Sequence, residues 1–238
     1  GAVAHRDTVA IIRNARRRAC IEPLGVVPLR GVYFMRVAVL IDGGHLRVLA
    51  RKAGHTYDPD FIEAFAHKCV LPTERIVRIL YYDCPPYRGV AKRPVSGTEI
   101  SFDGSDRWLV ELGEKELFAI RRGVLKFRGF KARKLPIASR QLTDDDFKPD
   151  FEQKGVDMRI GLDMANFSAQ RTVDRLILIS GDTDCIPAMK HARINGLQII
   201  LIALPNLKIA PELRQHSDYV RQVNWSHTAK TTALEERL

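Results

Sequence analysis

Short, uninterrupted apolar runs constrain this chain more than any other feature. Val37-Ala-Val-Leu-Ile41, the core of Arg175-Leu-Ile-Leu-Ile-Ser180 and Gln198-Ile-Ile-Leu-Ile-Ala203 show no alternation of polar and apolar residues. A strand with one wet face alternates, whereas a strand covered on both faces does not. These runs therefore predict central strands. Ile76 to Tyr82 reads as a further strand and Tyr219 to Val223 as a short last one. Helical patterns lie between them. Leu46, Leu49, Ala50 and Ala53 recur at i, i+3, i+4 and i+7, with Gly54 as a stop. Asp58-Pro59 has the form of an N-cap followed by proline in the first turn, and Phe61, Ile62, Phe65, Ala66, Cys69 and Val70 supply the core face. Helices are also predicted from about Val156 to Phe167, and from Pro187 to a close at Asn195-Gly196. Strands alternating with helices imply an α/β fold, with a mainly parallel sheet covered on both faces.

Residues 84–150 break this rhythm with Pro85-Pro86, Pro94, Gly97 and Gly104. A helix is expected between Asp106 and Arg122, with Leu109, Leu112, Leu117 and Ile120 inward. Val124 to Lys134 reads as an extended strand carrying Lys126, Arg128, Lys131, Arg133 and Lys134, with Phe127 and Phe130 between them. Basic residues interleaved with rings suit single-stranded nucleic acid. The same pattern suits an edge strand guarded by charge. The basic residues favour the first reading and the phenylalanines the second.

A chain of 238 residues makes one large domain or two small ones. The net charge of +10 and pI of about 9.7 favour a polyanionic partner. Residues 1–34 form a basic arm or leader, with six arginines (6, 13, 16, 17, 18 and 30) against Asp7 and Glu22, a net +4. A natural arm, a targeting remnant and sequence upstream of a start at Met35 all fit it. The main domain is expected over 35–225, with 84–150 as an irregular insertion and 226–238 as a C-terminal tail. Cys20, Cys69, Cys84 and Cys185 form no C-x-x-C pair, which argues against a thiolate metal site and for reduced thiols in a cytoplasmic protein. No apolar run reaches the ~18 residues of a membrane span.

The chemistry lies at the strand ends. In open α/β sheets ligands bind at the carboxyl ends of strands, near a switch in strand order. Asp42 follows Ile41, and Asp182 and Asp184 follow Ser180. Asp157 stands at the start of a predicted helix, in Lys154-Gly-Val-Asp157. Crowded carboxylates repel one another unless a cation intervenes. Hard oxygen donors select Mg²⁺ or Mn²⁺, which activate water and stabilise charge on a phosphoryl group. Each acid also has a structural role open to it: a strand-ending turn for Asp42, helix capping for Asp182 and Asp184, a favourable helix dipole for Asp157. Asp163, six residues after Asp157, points about 120° away around an ideal helix and is assigned a supporting or structural place.

Val39-Leu-Ile-Asp-Gly-Gly44, Lys154-Gly-Val-Asp157 and Ser180-Gly-Asp-Thr-Asp184, with Pro187 and Gly196, resemble the NYN domain family, and most nearly its LabA-like branch in the PIN-like nuclease superfamily. The likeness covers about Arg36 to Val223. It implies a PIN-like three-layer α/β/α sandwich and Mg²⁺- or Mn²⁺-dependent hydrolysis of RNA by an endoribonuclease. It implies Asp42, Asp157, Asp182 and Asp184 as the catalytic, metal-binding acids. Ser180 would steady the turn, and Lys154 would position a phosphate or compensate the acids. Many relatives carry Asn three residues after the first acid, where this chain has His45, which takes over that polar contact, ligates metal or faces solvent. Cys185 replaces a commonly aromatic position.

Two other functions compete. One is a non-catalytic RNA-binding or regulatory module. The other is a phosphatase of the haloacid dehalogenase type, which Gly181 to Met189 also resembles. That group needs a second Asp two residues after its nucleophile, and here Gly44 follows Asp42 at that spacing. Nothing in the sequence reads the 2′-hydroxyl, so DNA stays among the substrates. The oligomeric state is open, a homodimer included.

Overall fold

The structure, a computed structural model, describes residues 34–134, 141–205 and 207–225. The basic arm, its last residue apart, and the C-terminal tail lie outside the described residues. In chain order the elements are β1 (Met35–Asp42), α1 (Gly43–Lys52), α2 (Pro59–Lys68), β2 (Glu74–Asp83), β3 (Arg88–Lys92), β4 (Glu99–Asp103), α3 (Arg107–Glu114) and β5 (Phe118–Arg122). Then come β6 (Val124–Ala132), β7 (Phe147–Lys154), α4 (Val156–Gln170), β8 (Arg175–Ile179), α5 (Ile186–Ile194), β9 (Gln198–Ala203), α6 (Pro211–Gln215) and β10 (Tyr219–Gln222).

Six strands make one parallel sheet in the order β10-β9-β8-β1-β2-β5. Strand β1 shows why its run is apolar throughout. Val37, Val39 and Ile41 enter a core with Leu46, Ala50, Phe61, Ile62, Phe65, Leu109 and Leu112, from α1, α2 and α3. Ala38 and Leu40 enter the opposite core with Ile160, Met164, Met189, Ala192 and Leu213, from α4, α5 and α6. Adjacent side chains point to opposite faces of a strand, so a strand feeding two cores has no polar position left. The result is a three-layer α/β/α sandwich. The helix start read from Asp58 is an N-cap: its carboxylate accepts from the Phe61 amide at 2.8 Å, with Pro59 in the first turn.

The insertion departs from expectation. The helix expected from Asp106 to Arg122 stops at Glu114, and Phe118–Arg122 is strand β5 at the sheet edge. Leu117 takes a left-handed φ of 66° at the turn between them. Ile79 to Asp83 of β2 offers a free edge, and parallel pairing with it overrides the helical spacing of Leu117 and Ile120. The extended stretch from Val124 is β6, antiparallel to β7, and β3 and β4 form a second hairpin. Phe127 meets Tyr87, Phe102, Phe130 and Phe151 at centroid distances of 5.3–5.7 Å. Phe127 thus packs on rings of both hairpins, and Phe130 packs on Phe127.

Glu74 joins strands that are not neighbours. Its buried carboxylate accepts from the Leu71 amide at 2.8 Å, from Arg175 of β8 at 3.0 Å, and from both terminal nitrogens of Arg221 of β10 at 2.9 Å. Burial pushes its carboxyl up, but the hydrogen bonds from Arg221, Leu71 and Arg175 outweigh this and hold it below the ordinary value of 4.5. A depressed folded-state pKa contributes stability that is present above the unfolded value and is lost as pH falls through the folded one. Glu74→Gln is expected to lower the unfolding free energy by about 3 kcal/mol at pH 7. The gap to wild type should close as pH falls below about 4.5. Urea unfolding at pH 7 and pH 3 measures both.

Candidate metal centre

The sheet order places β1 between β2 and β8, so the chain leaves β1 and crosses to either side of it. Ile41 stands opposite Ile179, and the residues after each reach the same edge of the sheet. Asp42 ends β1 and caps α1, its Oδ1 accepting from the His45 amide at 3.0 Å. The Ser180 hydroxyl donates to Asp42 Oδ2 at 3.2 Å and accepts from the Asp182 amide at 3.1 Å. Asp182 Oδ1 in turn accepts from the Asp184 amide at 2.9 Å. A continuous chain of hydrogen bonds thus runs from the start of α1 to the turn that leads into α5. Gly181 permits its closeness: a Cβ there would fall 2.5 Å from the His45 ring.

The third segment arrives by a different route. Gly155 adopts a φ of +78°, a left-handed conformation that glycine takes freely. It turns the chain from the end of β7 into α4 and leaves Asp157 in the first helical turn. Asp157, Asp182 and Asp184 each offer a carboxylate oxygen, and these oxygens lie within 4.8 Å of one another. Oxygens sharing one hard divalent ion at about 2.0–2.6 Å stand up to roughly 4–5 Å apart, so the spacing fits. Asp42 is not in this trio, but it lines the same cavity of about 440 Å³ with His45, Gln153, Asp157, Asp182 and Thr183.

Burial and mutual repulsion shape the titration of this site. Partial burial, then the charges of Asp182 and Asp42, raise the Asp157 carboxyl above its ordinary value. Burial also raises Asp42, against the His45 amide and the Ser180 hydroxyl, which favour its ionised form. Burial holds the His45 imidazole low, against the pull of Asp42 and Asp182. Burial first, then the neighbouring carboxylates, push the Cys185 thiol up to about 12. The donors are carboxylate oxygens, which suit Mg²⁺ or Mn²⁺.

Other residues singled out from the sequence lie elsewhere. Asp163 accepts from Tyr82 Oη at 3.0 Å and Arg121 Nε at 2.8 Å, and so fastens α4 to β2 and β5. The Lys154 ammonium pairs with Glu152. On the basic strand Arg128 pairs with Glu152 at 3.4 Å, Lys131 with Asp150, and Arg133 Nε donates to the Phe147 carbonyl at 3.1 Å. Lys126 faces Glu152 across the ribbon. The acids of β7 thus offset much of this charge, and Lys134 follows the end of the strand.

Sequence reasoning passed over Asp83, Arg47 and Gln153. Asp83 ends β2 beside Asp42 and is fully buried. It accepts from Arg47 at 2.6 and 3.3 Å, Tyr81 Oη at 3.1 Å, the Cys84 amide at 2.8 Å and Gln153 Nε2 at 3.2 Å. Its place at a strand end was the available signal. Its partners, from α1 and β7, leave no trace in the local sequence.

No helix among the described residues is long and apolar enough to cross a membrane. No curated protein matches the chain. Among solved structures it is similar to a protein of unknown function from Vibrio parahaemolyticus, at 16% identity and a TM-score of 0.47, covering 80% of this chain and 94% of that one. The family model of the NYN domain matches residues 36–224, from the start of β1 to beyond β10. The protein therefore belongs to the NYN domain family, whose members have a PIN-like nuclease fold.

Proposed function

We propose that this protein is a metal-dependent endoribonuclease. The observation that carries the reading is the convergence of Asp157, Asp182 and Asp184 to within 4.8 Å at the switch point of a parallel sheet. Together they would hold Mg²⁺ or Mn²⁺. When bound, such an ion lowers the pKa of a water and neutralises charge on the phosphoryl oxygens. Asp42 is the fourth acid. Its two oxygens already serve His45 and Ser180, so it adds negative field and fixes the turn, with lone pairs left for the ion or its waters. His45 lines the cavity as a polar contact for substrate, its imidazole held low by burial. RNA as the substrate rests on the family likeness and the net charge of +10. A cytoplasmic setting suits the free thiols Cys69, Cys84 and Cys185.

The phosphatase reading is weaker because Gly44 stands where a second acid would be needed, and Gln153 packs against it. The non-catalytic reading is separated by turnover. A labelled single-stranded RNA should be cut in Mg²⁺ or Mn²⁺ and left intact in EDTA. RNA bound but uncut with every divalent ion would assign the chain to the non-catalytic class.

A further inference from the structure

A second cavity, of about 360 Å³, is walled in part by helix α1, which also lines the acidic one. Its walls include Arg47 and Arg51 of α1, Tyr57, Trp108 of α3 and Leu125 of β6. Three relations make the two cavities neighbours. Leu125 stands directly opposite Gln153 in the β6–β7 ribbon, and Gln153 lines the acidic cavity. Asp83 accepts from Arg47 on one side and Gln153 on the other. Helix α1 presents His45 to the acids and, further along, Arg47 and Arg51 to the second cavity.

The two cavities offer different chemistry. The acidic one has carboxylates and no ring but that of His45. The second has rigid aromatic walls. Trp108 packs against the core and stands edge-on to Tyr81, at 5.9 Å and 86°. Tyr57 is fixed by a hydrogen bond of 2.8 Å between its hydroxyl and that of Tyr81. Arg47 is committed to Asp83. Arg51 is exposed and has no ion-pair partner among the described residues. Rings held in place, an apolar floor and an uncommitted guanidinium are what a nucleotide needs: a π-face for the base and a cation for its phosphate. The volume lies within the range of small-ligand sites.

We infer that this cavity is a nucleotide subsite, which takes one base and flanking phosphate of a single-stranded RNA next to the phosphodiester at the acids. The inference rests on the nuclease reading for its substrate class. Arg51 takes the phosphate, and the wall of Trp108 and Tyr57 takes the base. A residue of a chain and a free nucleoside monophosphate offer the same groups. The proposal commits to the chain, because the cavity opens beside a site suited to the next phosphodiester.

The test is anisotropy of a fluorescein-labelled ten-nucleotide RNA with the full chain in EDTA, where cleavage is silent, over a range of salt. Arg51→Ala, at an exposed position, should weaken binding and flatten the log–log salt slope by roughly 0.7. Trp108→Leu, checked for folding by its thermal melt, should weaken binding about tenfold and leave the slope unchanged. A DNA decamer of the same sequence should respond to both variants in the same way. Wild-type affinity and slope in both variants would overturn the subsite and leave the nuclease reading standing. Competition by adenosine monophosphate as strong as by the unlabelled decamer would overturn it in favour of a free nucleotide. No RNA binding by wild type would overturn it together with the choice of RNA. Binding sensitive to both variants, with no cleavage in any metal, would uphold the subsite while the catalytic reading fell.

Discussion

Asp182→Asn is expected to lower Mg²⁺- or Mn²⁺-supported RNA cleavage by on the order of a thousandfold while leaving the fold in place. The two effects separate because Asp182 does two things. Its Oδ1 accepts from the Asp184 amide at 2.9 Å, a capping bond that the side-chain carbonyl of Asn also accepts. Its charge helps hold the ion, and Asn has none. A metal ion supplies several kcal/mol of transition-state stabilisation, and each 1.4 kcal/mol is a factor of ten in rate. Asp157→Asn should behave alike. The double variant should lose little more than either single one, since both disable the same ion. Asp42→Asn should cost less than Asp182→Asn, because Asp42 stands outside the trio. Single-turnover cleavage of a labelled RNA, read beside a thermal melt, measures all four. Activity within tenfold of wild type in Asp182→Asn and Asp42→Asn would defeat the site assignment.

The second large effect is on stability. Asp83→Ala is expected to lower the unfolding free energy by about 3–5 kcal/mol. The Asp83 side chain is fully buried, and its removal strands the Arg47 guanidinium, the Tyr81 hydroxyl, the Cys84 amide and the Gln153 amide at once. Breaking one side of a buried ion pair costs more than the pair contributes; Arg47 keeps a quarter of its side-chain exposure, and the buried donors of Tyr81 and Cys84 lose their acceptor as well. Asp83→Asn should fall between, since Asn still accepts from Tyr81 and Cys84 but cannot neutralise Arg47. For a chain of this size the loss corresponds to roughly 10 °C in thermal midpoint. Urea unfolding at pH 7 gives the free energy directly. A loss below about 1 kcal/mol would mean that the network around Asp83 is not what holds β2, α1 and β7 together.

The sandwich was legible because β1, β8 and β9 bury both faces, which leaves runs without alternation. The insertion was legible only in part: the extended stretch from Val124 is β6 and the helix after Asp106 is α3, but β7 and β5 were not read. Phe147-Lys-Pro-Asp-Phe-Glu-Gln-Lys154 carries Pro149 and four charges, which hides β7. Strand β6 alternates exposed and partly buried residues for most of its length, whereas that alternation is interrupted in β7. Strand β5 was hidden differently: Leu117 and Ile120 fit a helix locally, and only the free edge of β2 decides for a strand. At the site, position revealed the acids. Asp42, Asp182 and Asp184 follow strands, and Asp157 follows a glycine at a helix start. Which of them converge depends on Ser180 bridging Asp42 to the Asp182 amide and on the turn at Gly155, contacts that no local pattern encodes.

Asp157, Asp182 and Asp184 are proposed to form one divalent-metal site. Crystals of the protein soaked in Mn²⁺ and measured for anomalous scattering test it most directly. The expected result is an anomalous peak about 2.0–2.6 Å from an oxygen of each of these three carboxylates, lost in Asp182→Asn. A cavity without a peak at millimolar Mn²⁺, or a peak held by other residues, would contradict it.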